Sequence, residues 1–364
     1  MKRLFRKLHL WLSVPFGIVI TLICFSGAML VFEKEITQFT HHRLYYVDLV
    51  AGKPLAIDEL ITRATPSLPQ GAEIQGVTVY PDPERTYQLS LSYPRKASLA
   101  IDQYTGEVKG LVQRTPFFSA MFRLHRWLLG SRPADGGIFW GKVIVGISTL
   151  LFVAILVTGI VIWWPRSANG LKNSLQIKFR NGGHRLWHGM HVAGGMYALL
   201  LLLVMALTGL TWSFGWYRTA FYGAFGIEMK QSGNHSGEKS ERSNAKSDFS
   251  QWQAAYDWLA VSNPGHASIT IGHGTASVAN NHYGNTRGSD RYTFDPRTGQ
   301  LSQPTAYAQL PPAGKIRGWI YSLHTGTFGG LATRLLWFLA SLLGALLPLT
   351  GYYLWIKRLA RKRH

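Results

Sequence analysis

Four histidines recur at matched intervals along this chain. His9 stands 18 residues before Gly27 in Ser26-Gly27, and His191 stands 18 residues before Gly209 in Thr208-Gly209. Two more, in Leu124-His125-Arg126 and Leu323-His324-Thr325, each precede an apolar run that closes in Thr-Gly and then tryptophan: Thr158-Gly159 with Trp163, Thr350-Gly351 with Trp355. Neutral imidazole is a common metal ligand. Two of them on facing helices can hold haem iron from both sides, and helix-bundle cores are a usual place for such cofactors. The chemistry predicted is therefore electron transfer on haem b at two sites, His9 with His191 and His125 with His324. A metal site is the rival, because His184, His188 and His191 cluster and the last two share a helical face. Either is a possible ligand; the 18-residue interval selects His191. His184 and His188 are then its neighbours or partners of haem propionates. Arg6 and Arg185 are charged candidates for the same role. Arg123, Arg126, Arg317 and Arg334 are further candidates for propionates or an anionic chelate, with interfacial snorkelling as the plainer reading of each.

Four apolar runs have to position these side chains: Leu10–Phe32, Ile138–Trp164, Val192–Phe214 and Leu335–Ile356. Each is long enough for a helix to cross a hydrocarbon core of about 30 Å. In lipid the backbone can pair only with itself, so the runs are helices. A rise of about 1.5 Å per residue carries 18 residues about 27 Å. His9 and His191 thus begin their spans at one face of the membrane, and Gly27 and Gly209 reach the other, level with His125 and His324. Gly159 and Gly351 return to the depth of His9 and His191. At each depth two helices offer a ligand and two offer bare backbone for a flat macrocycle, although small residues in membrane helices mostly serve packing.

Charge sets the orientation. The formal net charge is +20, but the pieces 1–9, 165–187 and 357–364 contain no acidic residue, and every Asp and Glu lies in 33–139 or 215–334. This positive-inside pattern predicts both termini in the cytoplasm and explains the basic composition without a nucleic-acid partner. The predicted organisation is an N-terminal piece 1–9, spans 10–32, 138–164, 191–214 and 335–356, outer segments 33–137 and 215–334, a cytoplasmic loop 165–190 and a tail 357–364. The first run is too long for a signal-peptide core and is read as an anchor. The single cysteine, Cys24, excludes an intrachain disulfide.

Both halves show the same landmarks in one order, which predicts an internal two-fold repeat. Each outer segment carries an Asp-x-x-Thr-Gly turn, Asp102–Gly106 and Asp295–Gly299. There aspartate opens the turn and glycine takes the positive-φ position of a bulged hairpin. Alternation in 87–91 and 98–101 supports strands, so each outer segment is predicted to be a small α+β domain. Residues 230–248 form a polar, low-complexity insert. Gly272-x-Gly274 ends in Ser277 inside an outer loop, not at a helix opening, and no Walker loop occurs. Electrons must then come from another protein, a free reduced cofactor or a quinol.

Arg6-Lys7-Leu8-His9-Leu10-Trp11, Arg123-Leu124-His125-Arg126-Trp127, His191-Val192-Ala193-Gly194 and Leu323-His324-Thr325-Gly326 together resemble the PepSY-associated transmembrane helix family over nearly the whole chain. The two turns resemble its periplasmic PepSY-like domains. The resemblance implies a bacterial inner-membrane protein like the ferric-siderophore reductases, those for ferrioxamine-type hydroxamates being nearest in layout. It implies reduction of Fe(III) to Fe(II) on the periplasmic side. Ser26, where the family usually has threonine, and the insert at 230–248 depart from the pattern. Two other readings stay open: a haem-free anchored module that binds a peptide, protease or siderophore, and a siderophore or metal permease. The permease is weakened by the lack of a broken helix at mid-membrane.

Overall fold

The computed structural model describes residues 1–179, 182–228, 249–280, 284–302 and 304–362. The polar insert at 230–248 lies outside them. The chain divides into two compact units, one holding 1–33, 116–228 and 320–364, the other 34–115 and 229–319.

The first unit is built on four helices long and apolar enough to cross a membrane. They are Lys2–Val31, Trp140–Trp163, Gly183–Ser213 and the helix Gly330–Lys362. Three run past the expected limits, starting at Lys2, Gly183 and Gly330, because hydropathy marks the lipid-facing stretch while helical hydrogen bonding continues beyond it. Ile18, Leu200 and Leu339 stay exposed on the bundle surface, as lipid-facing side chains do. Its interior joins Ile20, Phe152, Leu156, Leu202, Ala206 and Ala340. Small residues let the helices approach closely: a Cβ on Gly344 would meet Leu202 Cδ2 at 2.7 Å and Cys24 Sγ at 3.1 Å. Tyr352 donates to the Val14 carbonyl and Thr21 to that of Ala345, tying the first span to the fourth.

His125 and His324 stand on two shorter helices, Pro116–Trp127 and Pro312–Thr325. Each is separated from the span that follows it by a turn. Leu128 and Leu129 adopt φ of 49° and 66°, and Gly326 and Gly330 adopt 70° and 69°.

The second unit is a single seven-stranded antiparallel sheet, in the order β4-β3-β2-β1-β5-β6-β7. The strands are β1 (Ile74–Val79), β2 (Tyr87–Leu91), β3 (Ser98–Ile101), β4 (Val108–Val112), β5 (Ser268–Gly272), β6 (Thr275–Ala279) and β7 (Ser289–Thr293). The outer segments, expected as two small domains, thus share one sheet. β1 pairs with β5, Val77 opposite Ile271. Helices Ile57–Ala64 and Trp252–Ser262 pack into one apolar core with Val77, Leu89, Ile101, Ile269 and Val278. The physical reason is the edge: in two separate sheets β1 and β5 would each be an exposed edge strand, and pairing them covers both, leaving only β4 and β7 as edges. Both Asp-x-x-Thr-Gly turns close as expected. Gly106 and Gly299 have φ of 75° and 70°; their N–H groups donate to Asp102 and Asp295.

Candidate functional site: two imidazole pairs

The four histidines meet in two pairs. At the bundle end that holds the chain termini, the rings of His9 and His191 are 6.3 Å apart, centre to centre, and at 89°. At the opposite end, those of His125 and His324 are 6.0 Å apart and at 55°.

Each ring is anchored on a neighbouring helix by the same kind of contact. His9 Nδ1 donates to the Ile155 carbonyl at 3.1 Å and lies 3.0 Å from Thr158 Oγ1. His191 Nδ1 donates to the Leu347 carbonyl at 3.1 Å and lies 2.9 Å from Thr350 Oγ1. His324 Nδ1 repeats this with Met205 at 3.0 Å and Thr208 at 3.1 Å. His125 Nδ1 donates to the Ile23 carbonyl at 2.9 Å, while the Ser26 hydroxyl beside it turns to its own helix, donating to Leu22 and Ile23. A carbonyl can only accept, so Nδ1 carries the proton and Nε2 keeps the lone pair that binds metal.

The Ser/Thr-Gly pairs explain how the rings come so close. A Cβ on Gly27 would lie 3.0 Å from His125 Cε1, on Gly209 3.1 Å from His324 Cε1, on Gly351 3.4 Å from His191 Cε1, and on Gly159 3.7 Å from His9 Cε1. The four glycines lie against imidazole rather than offering bare backbone to a macrocycle alone. The hydroxyls of Thr158, Thr208 and Thr350, at the preceding positions, take part in holding the rings. Their signal in the sequence is the Thr-Gly repeat itself, Thr158-Gly159, Thr208-Gly209 and Thr350-Gly351.

Of the remaining candidates, His184, His188, Arg6 and Arg185 are exposed. His191 opens into a five-residue π-helical segment, Met190–Gly194, an irregularity common at functional sites, whereas His188 belongs to the preceding short helix. Arg123 donates to the Leu129 carbonyl and so braces the left-handed turn after its own helix. Arg334 donates to the Val31 carbonyl at the end of the first span and lies over the Phe32 ring. Arg317 is exposed. Arg126 is partly buried between Phe122 and Trp127. Trp212 meets His324 edge-on with ring centres 5.0 Å apart. Among the described residues no group of three or more His, Cys, Asp or Glu is placed to hold a metal ion, so the cluster of His184, His188 and His191 does not assemble there.

No curated protein matches this sequence. The family described as the PepSY-associated TM region matches residues 6–358. That range takes in all four spans and both imidazole pairs, and the chain accordingly belongs to this family of multi-pass membrane proteins.

Proposed function

We propose that this protein carries electrons across the bacterial inner membrane on two haem b groups and reduces siderophore-bound Fe(III) to Fe(II) on the periplasmic side. His9 and His191 would hold one haem, His125 and His324 the other. The observation that carries this reading is the ring separation. Two imidazoles that shared one iron through Nε2, with bonds of about 2 Å and about 1 Å from each nitrogen to its ring centre, would stand with their ring centres about 6 Å apart. The ring separations of 6.3 and 6.0 Å fit, and in all four rings Nδ1 is committed to a carbonyl, leaving Nε2 for iron. The matching contacts of the two halves favour an internal two-fold repeat.

Haem held there would supply reversible one-electron exchange at either end of the bundle. The chain's own task is to fix the tautomer and orientation of each ligand and to keep the pairs inside an apolar bundle. The basic, acid-free pieces 1–9, 165–187 and 357–364 favour an orientation with both termini in the cytoplasm and the sheet in the periplasm. A quinol or a cytoplasmic reductant is the electron donor. A ferric siderophore, a ferrioxamine-type hydroxamate by family resemblance, is the acceptor.

The test is an absorption spectrum, oxidised and dithionite-reduced, of protein purified from haem-replete cells. A bis-histidine b-type spectrum is expected. His9→Ala or His191→Ala should each remove about half of it, and His125→Ala or His324→Ala the other half. His188→Ala should leave it intact. Wild-type protein without a Soret band overturns the reading and leaves the haem-free anchored module, in which alanine at His9 and His191 is silent.

A further inference from the structure

The two pairs match in ring separation and in their Nδ1 contacts but differ in the charge around them. Arg126 follows His125 on the helix Pro116–Trp127, one position beyond a ring of the His125–His324 pair, whose centres are 6.0 Å apart. Its guanidinium carbon lies 5.8 Å and 5.7 Å from the ring centres of Phe122 and Trp127. Aromatic faces hold a cation without neutralising it. None of the described ion pairs includes Arg126. At the other end the candidate cations Arg6 and Arg185 are exposed, where water and salt screen them.

Reduction adds an electron to a centre. A fixed positive charge in a poorly polarisable surrounding stabilises the reduced form more than an exposed charge does. We infer that Arg126 makes the His125–His324 centre the more readily reduced of the two, so that electrons are drawn toward that end of the bundle. The inference rests on the haem reading above. Arg126 acts here through field, as a tuning residue, and no proton or group transfer is involved. The opposing structural account is that Arg126 only packs its flat guanidinium on two rings. That account predicts no change in potential when its charge is removed.

The experiment is a redox titration, followed by absorbance, of the full-length protein in detergent. The two centres are assigned with His9→Ala and His125→Ala. Arg126→Gln is expected to lower the midpoint potential of the His125–His324 centre and leave the other unchanged. The equilibrium preference between the centres should fall on the order of tenfold. Arg126→Lys should restore most of it. Phe122→Glu, four residues before Arg126 on the same helical face, should neutralise the guanidinium in place and give the same fall. This second variant decides the matter if Arg126→Gln does not retain its haem. Two b-type signals whose potentials do not respond to either variant, or a lysine variant that behaves like glutamine, would overturn the inference and leave haem binding intact. Absence of any haem signal in the wild type strikes the earlier reading instead.

Discussion

At the scale of single residues, the contacts of the four imidazoles come in grades that make distinct predictions. In an ordinary helix, glycine to alanine gains up to about 1 kcal/mol. Here the new methyl group would meet a ring: 3.0 Å from His125 and 3.1 Å from His324, but 3.4 Å from His191 and 3.7 Å from His9. Gly27→Ala and Gly209→Ala should therefore displace their imidazoles and, if the proposed haems are bound, broaden or shift the reduced α-band of that centre. Gly159→Ala should be accepted without spectral change. Low-temperature absorption of the four alanine variants checks the order. Equal effects at all four would mean that the glycines serve helix packing and not the rings.

At the scale of elements, the edge strand β4 shows how the sheet keeps a cation inside. Lys109 has a side chain only 7% exposed and reaches Asp48 at 2.7 Å, Glu107 at 3.1 Å and Asp102 at 3.9 Å. Asp102 is itself buried and accepts from the N–H groups of Tyr104 and Thr105 in the hairpin turn. Removing the lysine leaves that carboxylate without its cation, so Lys109→Met should destabilise the sheet by about 2 kcal/mol. Limited proteolysis against denaturant would measure it. The hydrogen bond from Lys109 is the main cause holding the Asp48 carboxyl below the usual carboxylate range. A carboxyl whose folded value is lowered stabilises the fold above its unfolded value, and that contribution is lost as pH falls through the lowered one. Acid destabilisation near pH 4 and below should accordingly be weaker in Lys109→Met than in the wild type.

At the scale of the whole molecule, the joining of β1 to β5 is what turns two distant stretches of chain into one sheet. Gly76 sits at that seam, and a Cβ there would lie 2.7 Å from the Ile271 carbonyl oxygen. Gly76→Val should push the strands apart and cost about 3 kcal/mol, the range of severe backbone and overpacking changes. Protease sites in residues 249–302 should open in this variant. The four spans and both imidazole pairs belong to the other unit and should keep the b-type spectrum that the proposed haems would give. A spectrum lost together with the sheet would show that the two units fold as one cooperative body.

Much of this molecule was legible in its residues. Hydropathy marks the four spans because lipid admits only self-paired backbone, and the interval from His9 to Gly27 and from His191 to Gly209 sets the distance between them along each helix. The Asp-x-x-Thr-Gly turns were legible too, since their geometry depends on neighbours in the chain. What lies outside local reach had to wait for the fold. Which carbonyl accepts from each Nδ1, and which glycine receives each ring, depend on helices far apart in sequence, His9 on the second span and His191 on the fourth. The fusion of the outer segments into one sheet is likewise invisible in periodicity, because alternation defines a strand but not the partner it pairs with.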